Sequence, residues 1–182
     1  AMSQDEVRNK FIVEDVRKVI EEGRIPILLT SLTSHVRLLA EMLLPYANVI
    51  TLVGADSTKE KRAAMEQLQR IPTSESMVIV ATGKYIGEGF DYPRLDTLFL
   101  VLPISWKGNI AQYAGRLHRE YEGKREVRIY DYVDIRVPLC DSMYRKRLKG
   151  YASVGYGIPA SSNGIEMSKP ELIYDGSSFL VP

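Results

Sequence analysis

MVIVATGKYIGEGFDYPRLDTLFLVLP, Met77 to Pro103, reads as a short apolar strand, a polar loop that carries Gly83, Gly87, Gly89, Asp91 and Pro93, and a second apolar strand. Upstream, residues 4 to 22 have the pattern of an amphipathic helix with Val7, Phe11, Val16, Val19 and Ile20 on its apolar side. Ser3 and Glu6 supply a capping-box pair for that helix, and Gly23 supplies its stop. IPILLT, Ile25 to Thr30, is a continuous apolar run that suits a strand covered on both faces. A helix with Val36, Leu39, Ala40 and Leu43 follows and ends before Pro45. NVITLVG, Asn48 to Gly54, is a further strand, and Ser57 with Glu60 opens a helix that runs to about Arg70. Strands at Met77 to Thr82, Thr97 to Leu102 and Glu126 to Val133 complete the set. Alternating strands and helices predict an α/β fold with a doubly wound, mostly parallel sheet and helices on both faces.

Ligands of open α/β sheets gather beyond the carboxyl ends of the strands. The polar residues fall there: Thr30 and Ser31 after one strand, Gly54 after the next, and Thr82, Gly83 and Lys84 after the third. Hydroxyls and exposed amides at such an edge can hold phosphates without a large net charge. Each of these residues is equally suited to a helix cap or a turn.

QYAGRLHR, Gln112 to Arg119, has the pattern of a helix that aims two guanidinium groups in one direction. With a rotation of about 100° per residue, Gln112, Arg116 and Arg119 fall together, while Ile110, Ala114 and Leu117 lie roughly opposite. Gly115, beside the Arg stripe, lets another surface or a ligand come close. Paired arginines suit polyphosphate because each stays charged and offers a planar fork of donors. A solvated helix end, with the arginines paired to Glu120 or Glu122, is the other reading.

Taken together, the two stretches resemble motifs V and VI of the superfamily-two helicases and translocases, in their C-terminal, second RecA-like domain. The counterparts are Ala81, Thr82, Gly89 and Asp91 for motif V, and Gln112, Gly115, Arg116 and Arg119 for motif VI. Gln112, where DEAD-box enzymes carry His, is similar to the branch of restriction-enzyme motor subunits and excision-repair helicases. The resemblance covers about Ile25 to Asp134 and implies a RecA-like fold. It implies that Thr82 contacts a nucleic-acid phosphate, with Thr30, Ser31, Gly54 and Gly83 on the same edge. It implies that Asp91 reaches the ribose hydroxyls of ATP or a neighbouring motif VI residue. Within GFDYP the same Asp could simply cap a turn before Pro93. Gly87 and Gly89 would let the loop pass between the two ligand sites, with Gln112 also on the nucleotide side. Arg116 and Arg119 would act as arginine fingers.

No G-x-x-x-x-G-K-[ST] stretch occurs in the chain, and GKY at Gly83 to Tyr85 does not serve because Val78 occupies the earlier glycine position. In the resembling family, ATP and Mg²⁺ are held mainly by the N-terminal RecA-like domain. The chain is therefore expected to be the second half of a two-domain ATP-dependent helicase or translocase and not to hydrolyse ATP by itself. Its implied partners are that N-terminal domain and single- or double-stranded nucleic acid, with DNA favoured by the branch. A non-catalytic RecA-like nucleic-acid-binding or interaction module is the alternative.

With 182 residues, 45% hydrophobic and 26% charged, the chain can bury a good core. Residues 1–150 are expected to form the domain and 151–182 an extension, with ELIYDGSSFLVP as a small hairpin around Asp175 and Gly176. Ala1 ahead of Met2 suggests a cloning remnant on a piece of something longer. A net charge of +1 puts any nucleic-acid contact into local groups and not a mean field. The single cysteine, Cys140, excludes an internal disulfide framework and reads as a buried small residue. The sequence has neither a membrane span nor a secretory pattern, which points to the cytoplasm. Arg145, Lys146, Arg147 and Lys149 cluster near the end of a last helix, either facing the helix dipole or touching nucleic acid. Trp106 and Lys107 precede the motif VI helix, with Trp106 as packing or as a base stacker.

Overall fold

The computed structural model describes residues 2–87, 90–102, 109–134, 137–156 and 171–174, with the backbone alone at 87, 109–112 and 171–174. The chain divides into two compact units, Ala1–Phe90 and Asp91–Pro182. Its class is α/β, with parallel strands flanked by helices, as the alternation predicts.

In the first unit the order is α1 (Glu6–Glu21), β1 (Pro26–Thr30), α2 (Thr33–Leu43), β2 (Asn48–Leu52), α3 (Thr58–Arg70), β3 (Met77–Thr82) and the short α4 (Gly83–Gly87). The strands lie in the order β2-β3-β1, all parallel. Every residue of β1 and β3 is buried, which explains why both read as unbroken apolar runs and not as alternating ones. Ser57 and Glu60 form the expected reciprocal capping box of α3. Gly23, at φ +77°, stops the chain after α1 as expected.

The start of α1 differs from expectation. Met2–Gln4 form a 3-10 turn, and Asp5, not Ser3, caps the helix by accepting the Arg8 N–H at 3.0 Å. The Ser3 carbonyl instead accepts from Asn9 Nδ2 at 3.0 Å. Val7 is 79% exposed, because the buried stripe runs through Ile12, Val16 and Val19, nearly half a turn around the helix from Val7. The loop expected after β3 begins as a helical turn, α4, with Gly83 as its first residue and Gly87 as its last.

The second unit contains β4 (Thr97–Leu100), α5 (Asn109–Leu117), β5 (Val127–Asp131), α6 (Pro138–Ser153) and β6 (Glu171–Tyr174). Strands β4 and β5 are parallel; β6 runs antiparallel to β5, from Val127↔Tyr174 to Tyr130↔Glu171. The ELIY segment therefore joins the sheet of the second unit, while the expected turn at Asp175 and Gly176 lies outside the described residues. Phe99 and Tyr130 stack at 4.5 Å between centroids, tying β4 to β5.

Arg147 is 1% exposed and so does not belong to a solvated basic cluster. Its Nε and Nη2 donate to the two oxygens of Asp131 at 2.7 and 2.8 Å, and the Tyr151 hydroxyl donates to Asp131 Oδ2 at 2.9 Å. A carboxylate at the end of an apolar strand needs such partners, and Arg147 supplies the planar fork that matches it. Arg145 donates to Asp141 at 2.8 Å, one turn back on the same helix. Cys140 is buried, as expected.

Candidate functional site

Helix α5, which carries Gln112 to Leu117 of the QYAGRLHR stretch, packs through Tyr113, Ala114 and Leu117, all buried. Gly115, Arg116 and Arg119 lie off that packing face. With Asp91 they line a cleft of about 370 Å³ in the second unit. A Cβ built on Gly115 would meet nothing within 4 Å, so this exposed glycine answers no internal packing demand and adds no side chain to the cleft lining. Arg116 sits in the last turn of α5, and no ion pair to it is formed among the described residues. Arg119 lies two residues past the helix end, where the sequence pattern predicts continued helix. Its side chain is 59% exposed, and Nη2 donates to Asp91 Oδ2 at 2.7 Å with Nε to Oδ1 at 3.3 Å. Hydrogen bonding to Asp91, then its negative charge, raises the pKa of Arg119 further.

Of the residues expected around the nucleotide, Asp91, Arg116 and Arg119 are thus brought together. The expected alternatives for the arginines, pairs with Glu120 or Glu122, do not describe Arg119, whose carboxylate partner is Asp91. Gln112 lies in α5, Gly87 ends α4 in the first unit, and Gly89, Trp106 and Lys107 fall outside the described residues.

The second cluster is at the carboxyl ends of β1, β2 and β3. The register pairs Thr30 with Thr82 and Leu52 with Ala81, so three strands end level and their loops leave one edge. The Gly54 N–H donates to Thr82 Oγ1 at 2.8 Å, tying the loop after β2 to the end of β3. A Cβ on Gly54 would stand 3.1 Å from Lys84 Cβ and 3.2 Å from Lys84 Cγ, so the bare glycine lets the Lys84 stem lie across it. Lys84 and Ser31 are exposed.

Thr30 is different. It is fully buried, with its hydroxyl 3.0 Å from His35 Nδ1, so its side chain points into the protein and not out from the edge. His35 Nε2 lies 3.0 Å from Asn9 Oδ1. The Asn9 amide nitrogen donates to Ser3 O, so its oxygen is the acceptor, and His35 must carry its proton on Nε2 and accept from Thr30 on Nδ1. Burial, then the positive charge of Arg8, lowers the His35 pKa to about 4, in keeping with a neutral ring. Sequence reading passes over Asn9 and His35. The signal that could have found them is two polar residues on otherwise apolar helix faces.

No family model matches the chain. Among curated proteins it is similar to transcript termination protein OPG145 of monkeypox virus, 28% identical over 127 residues, covering 66% of this chain and 25% of that protein. It is also similar to transcript termination protein A18 of fowlpox virus, 24% identical over 136 residues, covering 74% of this chain and 29% of that protein. The chain spans about a quarter of the length of these relatives. Among solved structures, the C-terminal part of the Fun30 ATPase domain superposes with a TM-score of 0.54 at 11% identity, covering 67% of this chain and 38% of that one. T4 UvsW gives 0.50 at 22% identity, covering 63% and 23%. The second domain of the DEAD-box helicase Mss116p, solved with an RNA duplex, gives 0.50 at 16%, covering 66% and 47%. At these identities the likeness establishes the fold, that of RecA-like helicase domains.

Proposed function

We propose that this chain is the C-terminal motor domain of an ATP-dependent nucleic-acid helicase or translocase. Residues 1–150 form the RecA-like domain in this reading and 151–182 an extension. The observation that carries it is the cleft in which Arg116 and Arg119 meet Asp91 and a bare Gly115. Two guanidinium groups, one without an internal counter-ion among the described residues, fit the phosphates of a nucleotide, and the glycine leaves room for them. Among the described residues no three metal-ligating side chains gather, and Asp91 is engaged by Arg119. In this reading, Mg²⁺ and most of the ATP are held by an N-terminal RecA-like domain of the same polypeptide.

Arg116 and Arg119 complete that pocket from outside and stabilise negative charge on the transferring phosphoryl group, an effect of about 10³ to 10⁵ in rate for arginine fingers. Because they engage only when the domains meet, ATP favours closure and hydrolysis releases it. The edge formed by Thr82, Gly83, Gly54 and Ser31, with Thr30 positioning it from beneath, grips the sugar-phosphate backbone. Similarity to viral transcript termination proteins supports a nucleic acid as the track, and the glutamine at 112 favours DNA. The reading places the protein's action in the cytoplasm.

The test is nucleic-acid-stimulated ATP hydrolysis by the full-length polypeptide. Arg116→Ala should reduce it by about 10³ while ATP binding stays near wild type. Wild-type hydrolysis in that variant sinks the reading.

A further inference from the structure

Arg119 has left the helix, so no helical hydrogen-bond ladder fixes its main chain. Its guanidinium is held by Asp91. Its carbonyl is held from the other end: Lys124 Nζ donates to Arg119 O at 2.8 Å and to Pro93 O at 3.0 Å. Pro93 lies two residues after Asp91 in sequence. One ammonium group thereby joins the main chain that carries the carboxylate to the main chain that carries the arginine, and the Asp91–Arg119 pair closes the circuit.

A tight turn brings Lys124 to this place. Its N–H donates to Tyr121 O at 3.0 Å, and Gly123 adopts φ +83°, a conformation that side chains disfavour. A Cβ on Gly123 would meet nothing within 4 Å, so backbone conformation and not packing requires the glycine. An ammonium with its several donors can satisfy two carbonyls together, and cations are favoured beyond a helix C-terminus.

We infer that Lys124 is the positioning residue for Arg119, fixing its main chain relative to Asp91 so that the guanidinium enters the cleft in a set direction. The inference rests on the reading of Arg119 as a group that acts on phosphoryl charge. Misplacement of a catalytic group by about 1 Å can lower turnover about a hundredfold without removing any contact to the nucleotide.

The experiment is steady-state, nucleic-acid-stimulated ATP hydrolysis by the full-length polypeptide carrying Lys124→Met, Lys124→Arg, Gly123→Ala or Arg119→Ala. Lys124→Met should lower kcat about ten- to hundredfold with KM for ATP unchanged. Lys124→Arg, which also offers several donors, should recover most of that loss, and Gly123→Ala should show part of it. On this chain alone, Lys124→Met should speed solvent exchange of the Arg119 Nε proton seen by NMR. Wild-type kcat in Lys124→Met beside lost turnover in Arg119→Ala overturns the inference and leaves the reading of the cleft standing. Equal impairment of Lys124→Met and Lys124→Arg, or unchanged exchange at Arg119, also overturns it. Wild-type turnover in Arg119→Ala removes the reading, and this inference with it.

Discussion

Arg119 donates to both oxygens of Asp91, whereas Arg116, one turn earlier, has no ion pair among the described residues. The two arginines are therefore not equivalent. One is aimed by a carboxylate, and the other brings to the same cleft a guanidinium with no ion pair among the described residues.

That difference predicts different responses at Asp91. Asp91→Ala should lower stimulated turnover about tenfold by loosening Arg119, a smaller loss than removal of either arginine. Stopped-flow measurement of single-turnover hydrolysis in the full-length polypeptide checks the order. A loss in Asp91→Ala larger than in Arg119→Ala would mean that Asp91 has a duty of its own.

Thr82→Val keeps the shape of the side chain and deletes the acceptor of the Gly54 N–H. A stability loss of about 1–2 kcal/mol is expected for the unsatisfied amide, together with weaker binding of a labelled single strand. Thr82→Ser should restore both. Denaturant titration and fluorescence anisotropy read the two effects separately, and unaltered binding in Thr82→Val would remove this edge from the nucleic-acid surface.

His35 makes stability depend on pH. Its folded pKa of about 4 lies below the ordinary 6.5, so between these values the unfolded chain binds a proton that the folded chain does not. Stability is therefore full well above pH 6.5 and declines as pH falls towards 4, by at most about 3.5 kcal/mol from this residue. Urea midpoints measured between pH 7 and 4.5 should show the decline, and His35→Gln should flatten it. An equal slope in the variant would assign the decline to other groups.

Arg147→Met leaves Asp131 buried without its fork of donors and should destabilise the protein by about 3–5 kcal/mol. Asp131→Asn combined with Arg147→Met removes both charges and should be milder than the sum of the single changes. Thermal denaturation of the four proteins in the cycle gives the coupling. Additive losses would show that the two residues act independently.

The strands and the capping box at Ser57 and Glu60 were legible because burial and local hydrogen bonding write themselves into nearest neighbours. Asp91, Arg116 and Arg119 were legible as a group only through their motif spacing. The end of α5 was not, because the amphipathic pattern runs on to Arg119 while the partners that residue meets, Asp91 and Lys124, are distant in sequence or folded back. Polar networks were hidden for the same reason. Nothing local to His35 announces that Asn9, 26 residues earlier, will face it, and nothing local to Asp131 announces Arg147, 16 residues later.

The antiparallel pairing of β6 with β5 has a practical corollary for anyone trimming this chain. Strand β5 already pairs with β4 on its other side, so removal of residues 171–174 would lay bare a row of amides and carbonyls on a strand that is otherwise fully bonded. Such a rim recruits strands from other molecules. A shortened protein that ends after Tyr156, and so keeps α6 and the buried Tyr151, should accordingly associate more readily than the longer one.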